Sequence, residues 1–482
     1  MSKRVAIVGL GITGLSAAYH LTKLMPELRV SVFEASDRAG GWIRTIPARS
    51  EMRNCRSEVG PRTIRPSGIS GLITLKMVHE LGLQSQVASV PKSHPAARNR
   101  FVLYQDELNK MPSSLGALFL NRPPVLKGIL RAIVKDLTTR RGHKEDESIS
   151  EFISRRFGAE IDEKLVSAIV HGIYAGDSAK LSIKSCFPRL WELEKTYGSV
   201  IRGLVISALS QQPETQRIRQ YLSAMSPDCR SFVEGTMKQS IYSFTNGMET
   251  LTRSMLQNIS SNPGCGVSFG STCRSIQAVE KNKIRLSTIN PTRKVTTEEE
   301  FDHIIFSIPA FQMLQIGGFE DVKYLLSQYA YANVSVMTVV EDDTHKIPDG
   351  FGFLVPKSEN SKVLGVVFDT KSGLTTDPPG VQKLTVMSKL QREEDVMTEL
   401  ARSTLSKYLP GGERTESAVH CEALVNCIPH YTVGHSERVS KIREMVDPRY
   451  ITLSGASFDG VSVNDCVYSG YKAAHKVKAL LK

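Results

Sequence analysis

The chain lacks several things, and each absence narrows its class. No uncharged apolar run approaches the roughly 18 residues that a bilayer-spanning helix needs, so no segment is expected to cross a membrane, although the chain can still lie on one. Its eight cysteines, at 55, 186, 229, 265, 273, 421, 427 and 466, form no CxxC pair and no other spacing typical of zinc or iron–sulfur ligation. They read as free, mostly buried thiols, and no metal site is expected. An apolar signal region is missing at the N-terminus, and a strand beginning by Arg4 leaves little room for a cleavable leader. Internal repeats and low-complexity tracts are absent too. Acidic residues are in deficit: 49 against 61 Lys and Arg, giving +12 and a pI near 9.2. That balance suits an anionic partner, whether a nucleic acid, an acidic lipid surface or an acidic small molecule. Nucleic-acid binding rests on charge alone, because no recognition motif accompanies it, and no nucleic-acid partner is expected.

What is present is ordinary globular composition, 41% hydrophobic and 23% charged, in 482 residues. A chain of that length implies two or three domains. Its clearest signal covers residues 4 to 34. Arg4 to Val8 is a short apolar strand, followed directly by Gly9-Leu10-Gly11-Ile12-Thr13-Gly14. Leu15 to Leu24 reads as a helix, and Arg29 to Phe33 as a second strand ending at Glu34. This β-α-β unit is a dinucleotide site. Gly9 allows the tight turn, Gly11 lets a pyrophosphate approach the backbone, and Gly14 lets the helix pack on the strand. The helix N-terminus offers free N–H groups to phosphate, and Glu34 is placed to accept from ribose hydroxyls. Downstream, Asp37-Arg38-Ala39-Gly40-Gly41-Trp42 lets the chain run flat against a cofactor, with Arg38 in reach of its phosphates. This arrangement resembles the second signature of amine-oxidase-like flavoproteins and points to FAD.

Further along, Val125 to Leu137 carries apolar side chains at 125, 126, 129, 130, 133, 134 and 137, with Lys127, Arg131 and Lys135 beside that stripe. Such a helix either faces a core or dips its apolar face into an anionic membrane surface. Ser199 to Ser210 is a second helical stretch of the same ambiguity. A β pattern returns with Gly264 to Ile276, and Phe301 to Pro309 reads as a buried strand. Segments 333–340, 351–355, 363–369 and 383–388 read as strands of a separate sheet, and Tyr450 to Ser454 as a last strand. Asn464 or Asp465 is expected to cap a final helix over 466–481. The fold class is therefore α/β and α+β: a discontinuous Rossmann-like FAD domain, a mixed-sheet substrate domain and a helical insertion. The expected boundaries are 1–90, 235–310 and 430–482 for the FAD domain. The helical, membrane-binding and substrate insertion takes 91–210, and the substrate domain 311–425.

These residues carry a closer resemblance. GLGITGLSAAYHL from Gly9, GGWIR at 40–44, EVGPRTIRPSG at 58–68, HPAARNRF at 94–101, HGIYAGDSAKLSIKSCFP at 171–188, NCIPHYTVGH at 426–435 and SGASFDGVSVNDC at 454–466 run over nearly the whole chain. Together they resemble the protoporphyrinogen oxidases of mammalian and fungal style. The resemblance implies six-electron oxidation of protoporphyrinogen IX to protoporphyrin IX in haem synthesis, with oxygen reduced to hydrogen peroxide. It also implies a homodimer peripheral to the mitochondrial inner membrane, on its intermembrane-space side, with hand-over of product to ferrochelatase. Carried over residue by residue, FAD contacts fall on Gly9 to Gly14, Glu34, Ala35, Gly41 and Trp42, with Arg38 beside them. They continue at Gly60, Pro61, Arg62, Thr63, Cys273, Ser454, Ser462, Val463 and Asn464. Cys273 stands where the family usually has valine. Substrate contacts fall on Arg100, as partner of a propionate, on the Gly172 carbonyl, and on Phe351 and Leu354, which sandwich the macrocycle. His171 stands where relatives often carry arginine, so a packed or capping histidine is expected there. No general base is named.

Two rival readings stay open. One is another oxidase of the same superfamily, acting on coproporphyrinogen III, amines or carotenoids, since a fold does not fix a substrate. The other is a flavin-free binding protein like the Rab GDP-dissociation inhibitors, which the Gly40-Gly41-Trp42 and Gly460-to-Asn464 blocks oppose.

Overall fold

Parallel strands from three distant stretches of chain frame the molecule. The computed structural model describes residues 2–113, 123–209, 213–280, 282–374 and 376–482. In it, Arg4–Val8 pairs in parallel with Arg29–Phe33 on one side and His303–Phe306 on the other. Ile451–Leu453 and Cys265–Ser268 add the two outer strands. The central strand is buried on both faces, as an unbroken apolar run requires in a parallel sheet. The first helix begins at Ile12, inside the glycine loop, earlier than the sequence suggests, and runs to Leu24. It crosses the last helix, Val463–Leu481, at Gly470, where any Cβ would overlap the Thr13 carbonyl. Ser16 Oγ donates to Val467 O across this crossing at 2.7 Å.

The cap of the last helix differs from expectation. Ser462 accepts from the Asp465 amide at 3.1 Å, so Asn464 and Asp465 lie inside the first turn. A serine reaches the third amide as well as Asp or Asn does, and Asp465 then serves the positive end of the helix.

A second, mixed sheet of seven strands runs in the order Ala418–His430, Ala330–Asp342, Val381–Lys389, Val363–Val367, Gly352–Leu354, Phe101–Tyr104 and Glu107–Lys110. All four stretches read as a separate sheet fall within it. Phe101–Tyr104 joins Gly352–Leu354 in parallel and folds back on Glu107–Lys110, so a hairpin opens the region read as a helical insertion. Its turn is Gln105-Asp106, with φ of 56° and 58°. Asn-Gly usually fills that left-handed pair, and without it the hairpin had no signature.

The helix expected over 125–137 is broken. A single turn over Pro124–Leu126 buries Val125 and Leu126, Gly128 turns the chain at φ 89°, and the helix proper is Ile129–Thr138. It buries Ala132 and Asp136 and leaves Val134 at 59% exposure. Asp136 points inward because it is fully paired: Arg156 Nε donates to it at 2.6 Å, Ser199 Oγ at 2.5 Å and the Ile201 amide at 2.9 Å. Arg156 itself is wholly buried and also meets Glu194 at 3.1 Å. This ion cluster seats the neighbouring helix Val200–Leu209, whose Leu204, Val205 and Leu209 face outward. Ser210, the last residue of the second helical stretch read from sequence, lies outside the described residues.

Candidate flavin and substrate site

The glycine loop is shaped for a phosphate. Gly9 sits at φ 96°, and the helix from Ile12 is capped by Gly11, whose lack of a side chain leaves the first-turn amides unoccupied. Gly11 and Gly40 pair as an isolated bridge, and the Gly40 amide donates to Leu10 O at 2.8 Å. The Gly40-Gly41 stretch, at φ 105° and 58°, therefore lies along the glycine loop and leaves a flat backbone trough. Arg38 is used differently from the sequence reading. Its guanidinium donates to the carbonyls of Ala39, Gly41 and Ile43, holding the Gly-Gly turn instead of reaching out to phosphates. Glu34 accepts from the Leu10 amide at 2.7 Å and from Ser36, keeping carboxylate capacity for a ribose hydroxyl. Ala35 follows it, exposed. Segment 268–271 runs beside Glu34 through the Glu34 amide to Ser268 O at 2.9 Å and Ser271 amide to Glu34 O at 2.8 Å, which brings buried Cys273 to the same end.

The other cofactor residues close the trough. A Cβ at Gly60 would overlap the Trp42 carbonyl, so the Gly60-Pro61-Arg62-Thr63 turn packs on the Gly-Gly-Trp stretch. Asn464 Nδ2 donates to Arg65 O at 2.7 Å and ties the last helix to that turn, while its buried Oδ1 has no partner. Ser454 Oγ pairs with Ser469 Oγ at 2.7 Å, and a Cβ at Gly455 would stand 3.4 Å from Thr13 Oγ1. Ser462 and Val463 begin the last helix beside it. These groups fit an FAD: a glycine trough, free helix-end amides, an acid placed for a ribose hydroxyl and a buried, unpaired amide oxygen.

The substrate residues lie around the inner strand Gly352–Leu354 of the mixed sheet. The Phe351 amide donates to Asn99 O at 3.1 Å, which sets Arg100 next to Phe351. Leu354 fills the notch at Gly172, where an added Cβ would come within 2.6 Å of it. Phe351 packs toward Ala96 and Leu374, and Leu354 toward Val102 and Leu126, so the two lie on different apolar patches and not, as the resemblance implies, on the two walls of one sandwich. Arg100 has no hydrogen bond or ion pair from its guanidinium among the described residues. More than a third of it is open to solvent, yet partial burial and the Arg65 cation both lower its pKa. His171 Nδ1 donates to Val355 O at 2.9 Å and is held neutral chiefly by burial, a packed histidine.

One group escaped notice in the sequence although its motif, NCIPHYTVGH, stood out. His435 stacks on Tyr431 with centroids 4.0 Å apart, and both its nitrogens are buried without partners. The Tyr431 hydroxyl donates to Ala456 O in the closing block, so this stack is tied to the segment that precedes the last helix. Burial, then the Arg438 and Arg443 cations, pushes His435 down to about 3. The unfolded chain therefore binds the proton that the folded one refuses, and stability falls as pH drops below about 6.5. At pH 5.5 this one group should cost about 1.4 kcal/mol. His435→Phe keeps the stack, and its melting temperature should fall less than wild type between pH 7 and 5.5. Equal losses in a pH series of thermal melts would contradict the assignment.

Comparison with known proteins agrees with this geometry. The family model described as flavin containing amine oxidoreductase matches residues 12–478. Human protoporphyrinogen oxidase is 34% identical, covering 99% of this chain and 98% of its own length. Coproporphyrinogen III oxidase of Staphylococcus aureus is 26% identical, covering both chains in full. Cyclohexylamine oxidase from Brevibacterium oxydans shares the fold, with a TM-score of 0.66 at 13% identity over 100% of both chains. The chain is an FAD-dependent oxidoreductase of the flavin containing amine oxidoreductase family, and within that family it belongs with the protoporphyrinogen oxidases.

Proposed function

We propose that the protein oxidises protoporphyrinogen IX to protoporphyrin IX in haem synthesis, with oxygen reduced to hydrogen peroxide. The observation that carries this reading is end-to-end likeness at 34% identity to an enzyme of that name, combined with an Arg100 next to Phe351 whose guanidinium has no partner among the described residues. FAD, when bound, supplies the two-electron acceptor chemistry. The chain binds and orients. Phe351 and Leu354 offer apolar surface to a flexible macrocycle, the Gly172 backbone offers a carbonyl, and Arg100 offers a cation to a carboxylate. Arg65 beside it is a second cation without a side-chain partner among the described residues. Two such cations suit a porphyrinogen with two carboxylates better than coproporphyrinogen, which has four. Porphyrin fluorescence, followed side by side with the two porphyrinogens, tests this choice. Faster turnover of coproporphyrinogen would overturn it.

The protein also docks on an anionic membrane in this reading. No helix among the described residues is long and apolar enough to cross one. The packed pair Ile129–Thr138 and Val200–Leu209 instead turns Val134, Leu137, Val205 and Leu209 outward, the last at 85% exposure, next to exposed Lys127, Arg131 and Lys135. Arg131→Gln should weaken binding to anionic vesicles about fivefold, since one cation at such a surface contributes about 1 kcal/mol. Unchanged vesicle sedimentation would remove this helix pair from the docking face. We also propose the intermembrane-space side of the mitochondrial inner membrane, a homodimer and delivery to ferrochelatase, as the resemblance to the protoporphyrinogen oxidases implies; cell fractionation and sedimentation check the first two.

A further inference from the structure

The loop 454–460 joins the last strand to the last helix, and one acid in it has no role above. Asp459 is nine-tenths buried. Its Oδ1 accepts from Arg443 Nη2 at 2.9 Å and Lys472 Nζ at 3.4 Å, and its Oδ2 from Ser469 Oγ at 2.5 Å. Burial opposes charge here, but Arg443, Lys472 and the Ser469 hydroxyl outweigh it and hold the carboxyl below its usual range. An ionised carboxylate can only accept, so the single hydrogen of Ser469 is committed to Asp459. Both lone pairs of Ser469 are then filled from the loop. The Gly455 amide donates to it at 2.9 Å, and Ser454 Oγ, 2.7 Å away, must donate as well. The charge on Asp459 thus sets the direction of the whole chain. Gly455, at φ 106°, lies against Thr13 of the glycine loop, and a Cβ at Gly460 would overlap the Asp465 side chain in the first turn of the last helix.

We infer that Asp459 is a positioning residue for the cofactor: acting through Ser469, it sets the Ser454-Gly455 end of this loop to receive the half of FAD that lies beyond the pyrophosphate. The sheet shows which half that is. The strands ending at Leu453, Phe306, Val8 and Phe33 lie side by side in that order, all parallel. Ser454 and Glu34 therefore stand on opposite sides of the glycine loop, three strand spacings or roughly 14 Å apart. An FAD with its pyrophosphate at the glycine loop and its adenosine ribose at Glu34 extends its riboflavin half toward Ser454. Asp459 acts from behind, because its carboxylate is occupied by Arg443, Lys472 and Ser469. Asparagine at this position reverses the chain. Beside two cations its amide turns the oxygen toward them and the NH2 toward Ser469, which then gives its own hydrogen to Ser454. The Ser454 hydrogen is turned out of the chain, where only oxygen lone pairs were offered before.

This inference rests on bound FAD and not on which porphyrinogen is the substrate, so its test leaves substrate out. Holoenzyme is diluted, and the released FAD is read by its fluorescence, alone and with ADP as competitor. ADP carries the adenosine and both phosphates and lacks the riboflavin half. Asp459→Asn should weaken FAD binding about tenfold, the low end for disturbing a hydrogen bond to a charged group, and leave ADP within about twofold of wild type. Ser469→Ala should show the same split. The double variant should lose no more than the worse of the two single ones, because the residues act as one chain. Equal losses of FAD and ADP would make Asp459 merely structural and overturn the inference. So would unchanged FAD affinity in Asp459→Asn, or losses that multiply in the double variant. If Asp459→Asn does not fold, adding Arg443→Gln restores the net charge of the cluster, and that pair must show the same split. Wild type purified without flavin would instead overturn the cofactor assignment, and the inference with it.

Discussion

Gly14→Val is expected to give colourless protein. The space a side chain needs at Gly14 is already filled by the Gly9 carbonyl, and Ser307 Oγ would stand 2.7 Å from a Cβ. Neither can yield. Gly9 O belongs to the turn itself, and Ser307 Oγ donates to that same carbonyl at 2.9 Å from the end of the adjoining strand. The helix must therefore back away from the loop, and its N-terminal amides leave the position where a pyrophosphate would lie. Flavin content after purification should fall to a trace. Even alanine should lower it, since the first carbon already collides. Gly266→Ala is the control: it lies in the outer strand of the same sheet, and no atom stands within 4 Å of its added carbon. It should stay yellow. Full flavin in Gly14→Val, judged by the visible spectrum, would place the cofactor elsewhere.

The second large effect is expected at Arg100. Its guanidinium has no internal partner among the described residues and shares its surroundings with Arg65, so an anion bound there would answer two cations. A bidentate, charge-assisted contact with a carboxylate contributes roughly 1.5–3 kcal/mol. Arg100→Ala should thus lower kcat/KM about 10- to 100-fold. Lysine should restore part of this, because it keeps the charge and loses the planar fork. Flavin content and melting temperature should hold, because Arg100 spends only its backbone on structure, accepting from the Met111 amide at 2.8 Å. Normal kinetics in Arg100→Ala would remove it from the substrate site, and joint loss of flavin would make it structural.

How much of this was legible in the sequence depends on how local each feature is. The unit from Arg4 to Glu34 reads out directly because glycine spacing, strand and acid lie within one short segment. The last helix was read with its start misplaced, because Ser462, Asn464 and Asp465 are all competent caps and only the packed structure chooses among them. Asp136 carries no signal in the sequence. Its burial depends on Arg156 and Ser199, residues that no periodicity links to it. The Arg38 role was misread for a similar reason, since carbonyls exposed by a glycine turn are invisible in a sequence. The chain through Asp459 was illegible altogether. Its members come from positions 443, 454–455 and 469–472, and Asp459 alone looks like one more loop acid.

The claim at the centre is that this protein's FAD takes its electrons from protoporphyrinogen. Anaerobic mixing of the yellow holoenzyme with protoporphyrinogen IX in a stopped-flow spectrophotometer tests it most directly. Flavin absorbance should bleach at a rate that depends on substrate concentration, and porphyrin fluorescence should rise once oxygen is admitted and the colour returns. Flavin that keeps its colour in the presence of excess protoporphyrinogen, yet bleaches with a reductant such as dithionite, would contradict the account.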